Sequence, residues 1–194
     1  MDVVEIHPWG STIKQLDDPD RVTFDLDADE GLPWQRITEA ALHLREALLA
    51  IGLKSFAKTT GGKGLHVVVP LAPKLGWDEI RVFAKWVADS FVAQRPEDFT
   101  ANMAKTARHG RIYIDYLRNG RGATAVGAYT PRAREGAPVS TPLLWDEVKV
   151  GLHPDGFTVD TVPERLGGLG SDPWADFGKV RQSLSAPLRR RVGI

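Results

Sequence analysis

The chain contains no cysteine, which excludes disulfides and thiolate metal sites and fits a reducing compartment. It has no net charge, since 25 Lys and Arg balance 25 Asp and Glu, so the global balance gives no sign of a polyanionic partner. No apolar run approaches the roughly 18 residues needed to span a bilayer. The first thirty residues lack the apolar core of a signal peptide. The chain therefore reads as cytosolic. Internal repeats and low-complexity tracts are missing too.

What remains is an ordinary soluble composition, 42% hydrophobic and 26% charged, in 194 residues, about the size of one domain. The charge is unevenly spread. Residues 1–31 carry nine acids against Lys14 and Arg21, a net of −7. Residues 101–134 carry seven bases against Asp115 alone, a net of +6. The two segments either neutralise each other across the fold or form a cation site facing a phosphate site.

Residues 22–27, VTFDLD, alternate, with Val22, Phe24 and Leu26 on one side and Thr23, Asp25 and Asp27 on the other. That is a half-buried strand. Pro33 opens a helix from Trp34 to Ile51, with Ile37, Ala41, Leu44 and Leu48 at helical spacing and Gly52 as its stop. Residues 54–58 read as a short strand, Thr59–Gly64 as a glycine-rich connection, and Leu65–Leu71 as a β-branched strand. Trp77–Gln94 is a second amphipathic helix, Arg111–Leu117 a further strand, and Asn119-Gly120 a tight turn into a strand near Ala123–Tyr129. The order βαββαβ is the ferredoxin-like, RRM-like α+β arrangement, a mostly antiparallel sheet with both helices on one face. Its fourth strand is expected at an edge. Residues 1–150 form this core. A short helix is expected at Leu143–Val148, and residues 151–194 are an extension, partly loop and packed on the core, with loop at Gly167–Pro173 and a basic tail at Arg189–Arg191.

Four signals carry chemistry. Asp25 and Asp27 lie on one face of a strand, about 7 Å apart, and repel unless a cation sits between them. Mg²⁺ or Mn²⁺ would suit such oxygens; the alternative is a solvated acidic strand. Asp115 is a carboxylate inside a basic stretch, either a third ligand or half of a salt bridge. The segment Thr60-Gly61-Gly62-Lys63-Gly64-Leu65-His66 offers backbone N–H groups, an ammonium and an imidazole to an anion, although it is no Walker loop because it leads into a strand. Lys105, Arg108, Arg111, Arg118, Arg121, Arg132 and Arg134 have the spacing of phosphate contacts to a nucleotide or a DNA backbone, with Lys105, Arg108, Arg118 and Arg121 assigned to DNA; the alternative is a solvated surface. Each signal alone is weak. Together they are the equipment for two-metal nucleotidyl transfer.

The segments His7-Pro8-Trp9-Gly10, Asp20–Asp27, Lys58–His66 and Arg111–Thr124 resemble the polymerase domains of bacterial ligase D, in the archaeo-eukaryotic primase superfamily, in consistent order over residues 3–148. The resemblance implies that Asp25, Asp27 and Asp115 bind two Mn²⁺ or Mg²⁺ ions. It implies that Thr60, Lys63, Gly64, His66 and Arg132 hold a triphosphate, and that His7 approaches the incoming nucleotide. The activity implied is addition of nucleotides, often ribonucleotides, to DNA ends in break repair, alongside Ku and a DNA ligase. Family domains carry a longer stretch ahead of the His-Pro-Trp motif, which contacts the DNA end. Here six residues precede it, so nucleotide and metal binding are expected to stand apart from DNA-end recognition. Two rivals share the fold. One is a non-catalytic nucleotide or nucleic-acid binding module, whose base-stacking aromatics would be replaced here by Asp25 and Asp27. The other is a metal-dependent nucleotide hydrolase or cyclase.

Overall fold

In the computed structural model, which describes residues 3–194, the alternating segment forms strand β1 (Arg21–Ala28). Val22, Phe24 and Leu26 are buried, and Asp25 and Asp27 are turned to the other side. Helix α1 (Trp34–Ala50) starts directly after Pro33, whose fixed φ and missing N–H suit a helix start. It stops because Gly52 adopts a positive φ of 81°. The N–H groups of Gly52 and Leu53 then bond back to the Leu49 and Leu48 carbonyls, both at 2.9 Å. Strands β2 (Phe56–Thr59) and β3 (Gly64–Pro70) follow as a hairpin. Helix α2 (Trp77–Gln94) is capped by Glu79, whose carboxylate accepts from the Gly76 N–H at 2.8 Å. Then come β4 (Phe99–Thr100), β5 (Ile112–Asp115), β6 (Thr130–Pro131), β7 (Val139–Ser140) and β8 (Pro142–Leu143). Helices α3 (Thr161–Gly168) and α4 (Ala186–Val192) lie in the C-terminal part.

The main sheet has the order β4-β5-β1-β3-β2-β8, antiparallel except for β4–β5. Its centre, β5-β1-β3-β2, is the expected α+β topology. One face of β1, β3 and β5 supplies Phe24, Leu26, Leu65, Val67, Ile112 and Ile114 to a core completed by Leu44 and Leu48 of α1 and Ile80 and Phe83 of α2. The other face is left for chemistry. No helix is long and apolar enough to cross a membrane among the described residues. Asp2, counted in the acidic segment, lies outside the described residues.

Several expectations need correction. The fourth expected strand, β5, is not the edge, because two-residue β4 runs outside it. That strand ends at Asp115 rather than Leu117, since Tyr116 turns to helical dihedrals and Leu117–Asn119 forms one 3₁₀ turn. The hairpin from Asn119-Gly120 does not form. Asn119 is spent on β1 instead. Its side-chain oxygen accepts from the Thr23 N–H at 2.7 Å, and its amide nitrogen donates to the Thr23 and Tyr116 carbonyls, both at 2.8 Å. The β1–β5 ladder covers only Asp25–Ala28, so this side chain stands in for the missing strand residue at Thr23. Residues 123–129 run without a strand beside the N-terminal segment, Gly127 N–H donating to the Ile6 carbonyl at 2.9 Å. The helix expected over Leu143–Val148 is reduced to one 3₁₀ turn, Trp145–Glu147, because Leu143 is held in β8. The expected loop at Gly167–Pro173 begins two residues late, since α3 runs through Gly168, and Arg189–Arg191 is helical.

The C-terminal part returns to the sheet. Leu184 and Leu188 join the core. Trp174 donates its indole N–H to the Ala57 carbonyl at 2.9 Å, and its ring stacks on Phe177 at 4.8 Å. Both rings also meet Phe56 edge-on.

Replacing Asn119 by Ala strands a buried N–H and carbonyl of β1 without partners. Asn119→Ala is expected to lower unfolding free energy by roughly 2–4 kcal/mol in urea titrations. A loss below about 0.5 kcal/mol would mean that water replaces the side chain at no cost.

Candidate active site

The register of β1 assembles the site. Asp25 lies opposite His66 on β3 and opposite Asp115 on β5, and His66 in turn lies opposite Lys58 on β2. Lys58, His66, Asp25 and Asp115 thus form one row across four strands, on the face away from α1 and α2. Directly opposed side chains on such strands have Cβ atoms about 5 Å apart. Asp27 is next along β1 on the same face, between Gly64 and Tyr113. The register left open by the sequence therefore makes Asp115 a neighbour of Asp25.

The glycine-rich loop joins β2 to β3 beside this row, with Gly64 opposite Asp27. It closes on itself through Thr60, whose N–H donates to the Gly64 carbonyl at 3.1 Å and whose hydroxyl bonds the Gly64 backbone. Two glycines are required by space. Gly61 has φ +65°, and a Cβ there would meet Arg132 Cγ at 2.6 Å; at Gly64 a Cβ would meet the Leu26 carbonyl oxygen at 2.9 Å. The loop is fastened to the β6–β7 hairpin. Thr59 exchanges hydrogen bonds with Val139 and Thr141, and Arg132 donates to the Thr60 carbonyl at 2.7 Å. Arg134 lies over the loop, its Nη1 2.8 Å from where a Gly62 Cβ would be.

Row and loop enclose a cavity of about 310 Å³. Of the expected site residues, His7, Asp25, Asp27, Thr60, Lys63, Gly64, His66, Arg118 and Arg132 line it. Asp115 stands just outside the lining and is tied in by Arg118, whose guanidinium lies 3.1 Å from Asp115 and 3.5 Å from Asp25. Lys63 is exposed and 3.7 Å from Glu30. His66, expected to donate to phosphate, is buried with its Nε2 3.4 Å from Asp25, and its Nδ1 lacks a partner.

The bases expected to track DNA are mostly engaged by acids. Arg108 donates to Asp27 at 2.8 Å and stacks on the Tyr113 ring, and Arg121 pairs with Asp17 at 2.8 Å. Lys105 sits on an exposed 3₁₀ turn away from the cavity. The acidic and basic segments thus neutralise each other in part, and they do so at the site itself.

The electrostatics follow from burial. Asp27 and Asp115 are both raised above the usual carboxylate range, first by burial and then by the charge of Asp25, with Arg108 and Arg118 opposing. Burial also disfavours the Asp25 carboxylate, but His66, Arg118 and Lys58 around it more than offset this and hold it low. Three repelling hard-oxygen donors on one face fit a divalent pair in charge and chemistry. Among the described residues, no three acids or imidazoles already converge as a metal cage. Arg108 and Arg118 supply the positive charge instead, and they must give way to any ion.

Two residues were missed by sequence reasoning. Arg134 was seen only as one of a basic set. Lys58 is buried, its Nζ donating to Ser140 Oγ at 2.6 Å, and burial pushes its amine down to about 7 despite the attraction of Asp25. Its signal was available: it is two residues before Thr60 on a strand, hence on the site face.

A lysine whose folded pKa lies below its ordinary 10.5 costs stability when charged, and this cost is full below about 7 and fades as pH rises toward the unfolded value. Wild type is therefore expected to gain roughly 1–3 kcal/mol relative to Lys58→Met between pH 6 and pH 9. Parallel stability profiles for the two proteins would show that Lys58 titrates normally.

Comparison with known proteins identifies the family and the fold. The family described as "LigD, primase-polymerase domain" matches residues 1–174. The multifunctional non-homologous end joining protein LigD of Pseudomonas aeruginosa is 43% identical over 194 residues, all of this chain and 23% of that protein. The bifunctional LigD of Bacillus subtilis is 34% identical over 190 residues, 96% of this chain and 31% of that protein. The chain thus spans a third or less of these relatives. The polymerase domain of Mycobacterium tuberculosis ligase D, solved in complex with DNA, superposes with a TM-score of 0.78 at 31% identity, over 84% of this chain and 56% of that one. The match over residues 1–174, with relatives 34–43% identical over nearly the whole chain, shows that the chain belongs to the LigD primase-polymerase domain family of bacterial non-homologous end joining.

Proposed function

We propose that this chain is a metal-dependent nucleotidyltransferase that adds nucleotides, often ribonucleotides, to DNA 3′ ends during end joining. The observation that carries the reading is the β1 register. It sets Asp25 against Asp115, with Asp27 beside them, and Asp25 and Asp27 share a cavity with the glycine-lysine loop. Carboxylates beside a loop of cationic and N–H groups match the two needs of the reaction, a 3′-hydroxyl to be deprotonated and a triphosphate to be held.

Asp25, Asp27 and Asp115 would hold two Mn²⁺ or Mg²⁺ ions, which lower the pKa of the attacking hydroxyl and neutralise the pyrophosphate leaving group. The protein's own part is positioning. Lys63, Arg132 and Arg134 surround the loop and orient the triphosphate in line, and the loop's N–H groups add neutral donors. His66 and Lys58 stand behind Asp25 and favour its ionised form. With ions held by the acids, Arg108 and Arg118 would be free to meet phosphates of primer or nucleotide. DNA ends are a proposed partner because the solved relative is a complex with DNA, and Ku and a ligase are proposed from the family resemblance alone.

Incorporation of labelled nucleotide into a primer, with and without Mn²⁺, tests the reading against a non-catalytic module and against a nucleotide hydrolase. Asp27→Ala is expected to abolish incorporation and Mn²⁺ binding together while the fold persists; extension near the wild-type rate would remove the metal assignment. Lys63→Ala is expected to weaken triphosphate binding by about 1.5–3 kcal/mol and monophosphate binding much less. Equal losses in calorimetric titrations would move Lys63 away from the phosphate tail.

A further inference from the structure

Glu5 does not line the cavity, yet it holds two residues that do. One carboxylate oxygen lies 2.8 Å from His7 Nε2 and 3.1 Å from Arg132 Nε, and the other accepts the Ala133 N–H at 2.9 Å. Arg132 Nε is not aligned on Glu5 as a hydrogen bond, so that contact is an ion pair. Through its other end Arg132 donates to the Thr60 carbonyl at the base of the glycine-rich loop. A continuous chain of contacts therefore runs from His7 through Glu5 and Arg132 to Thr60. It spans the cavity wall from the N-terminal segment to the phosphate loop.

The N-terminal segment has little else to fix it. Residues 3–9 have no regular secondary structure, and Val3, Val4 and Ile6 are largely exposed. Its backbone is tied to the body by Gly127 N–H on the Ile6 carbonyl and, more loosely, by the Thr130 hydroxyl on the same carbonyl and Ala125 N–H on the Pro8 carbonyl, both at 3.4 Å. None of these bonds sets the His7 side chain. Glu5 does, and the same oxygen reaches the arginine. A carboxylate serving three donors at once is held strongly in its ionised form, first by His7, then by the Ala133 N–H and by Arg132.

We propose that Glu5 is a positioning residue that couples His7 to Arg132, so that the nucleotide-facing wall and the phosphate loop are aligned as one unit. This rests on the reading of the cavity as a nucleotide site. Glu5 itself touches no substrate. It acts by fixing two side chains whose targets lie at opposite ends of one ligand.

Glu5→Ala and Glu5→Gln test this in the full chain. Glu5→Ala is expected to raise the KM for triphosphate about tenfold while kcat stays within about threefold, because binding geometry is lost and the metal carboxylates are untouched. Glu5→Gln is expected to fall between, since its amide oxygen can still accept from Ala133 but offers Arg132 no charge. In a His7→Ala, Arg132→Ala background, Glu5→Ala should add less than about twofold. A full tenfold loss in that background would overturn the proposal, because Glu5 would then act by another route. Two readouts do not depend on activity: the ring resonances of His7 and the hydrogen exchange of the Ala133 amide. Both should change in Glu5→Ala, and unchanged values for both would overturn the clamp. If the wild-type chain incorporates no nucleotide, the proposed function falls, and these two readouts still decide the role of Glu5.

Discussion

Strand β1 is antiparallel to both of its neighbours, and nearly everything else depends on that pairing. Its apolar side anchors the core between α1 and α2. Its polar side meets β3 and β5 residue for residue, which turns four side chains distant in sequence into one row, Lys58, His66, Asp25 and Asp115. A slip of one residue would send both aspartates into the core and Leu26 into the cavity. The burial of Val22, Phe24 and Leu26 makes that slip costly, so the hydrophobic face fixes the chemical face.

The row is graded in charge, basic at β2 and acidic at β5. The arginines that follow β4 and β5 then fold back onto the acidic end. Arg118 spans Asp25 and Asp115, and Arg108 covers Asp27. Partly buried carboxylates this close cannot all be ionised without cations nearby, and the chain brings its own. The arrangement keeps the acidic cluster compatible with a stable fold before any ion arrives.

How much of this was legible in the sequence depends on the range of the interaction. Alternation marked β1, and helical spacing marked α1 and α2, because those signals are local. Candidate roles for Asp25, Asp27 and the glycine-lysine loop were suggested by residue type and spacing and assigned through the family resemblance. Long-range choices were hidden. Asn119-Gly120 has turn chemistry, and only the fold shows that the asparagine is used to complete the ladder at Thr23. Strands of two residues, such as β4 and β6, carry no periodicity to read. The partners of Arg108, Arg118 and Arg121 were invisible, since an arginine facing an aspartate 81 to 104 residues away looks the same in sequence as one facing solvent. Lys58 could have been placed by its strand parity, but its burial depends on Ser140, 82 residues later.

The side-chain ladder made by Asn119 has a kinetic consequence. Because Asn119 is bonded to β1 at two points, both on Thr23, and to the Tyr116 carbonyl at a third, the turn that carries Arg118 is fixed to the strand that carries Asp25. Turn and strand cannot separate without breaking buried hydrogen bonds. Exchange of the guanidinium for another cation on Asp25 and Asp115 is thus a rotation about side-chain bonds. For a half-exposed arginine such rotations take picoseconds to nanoseconds, whereas loop opening takes up to microseconds. The carboxylates are shielded on average but become available at a rate far above that of ligand arrival, so the shielding sets an affinity and imposes no delay.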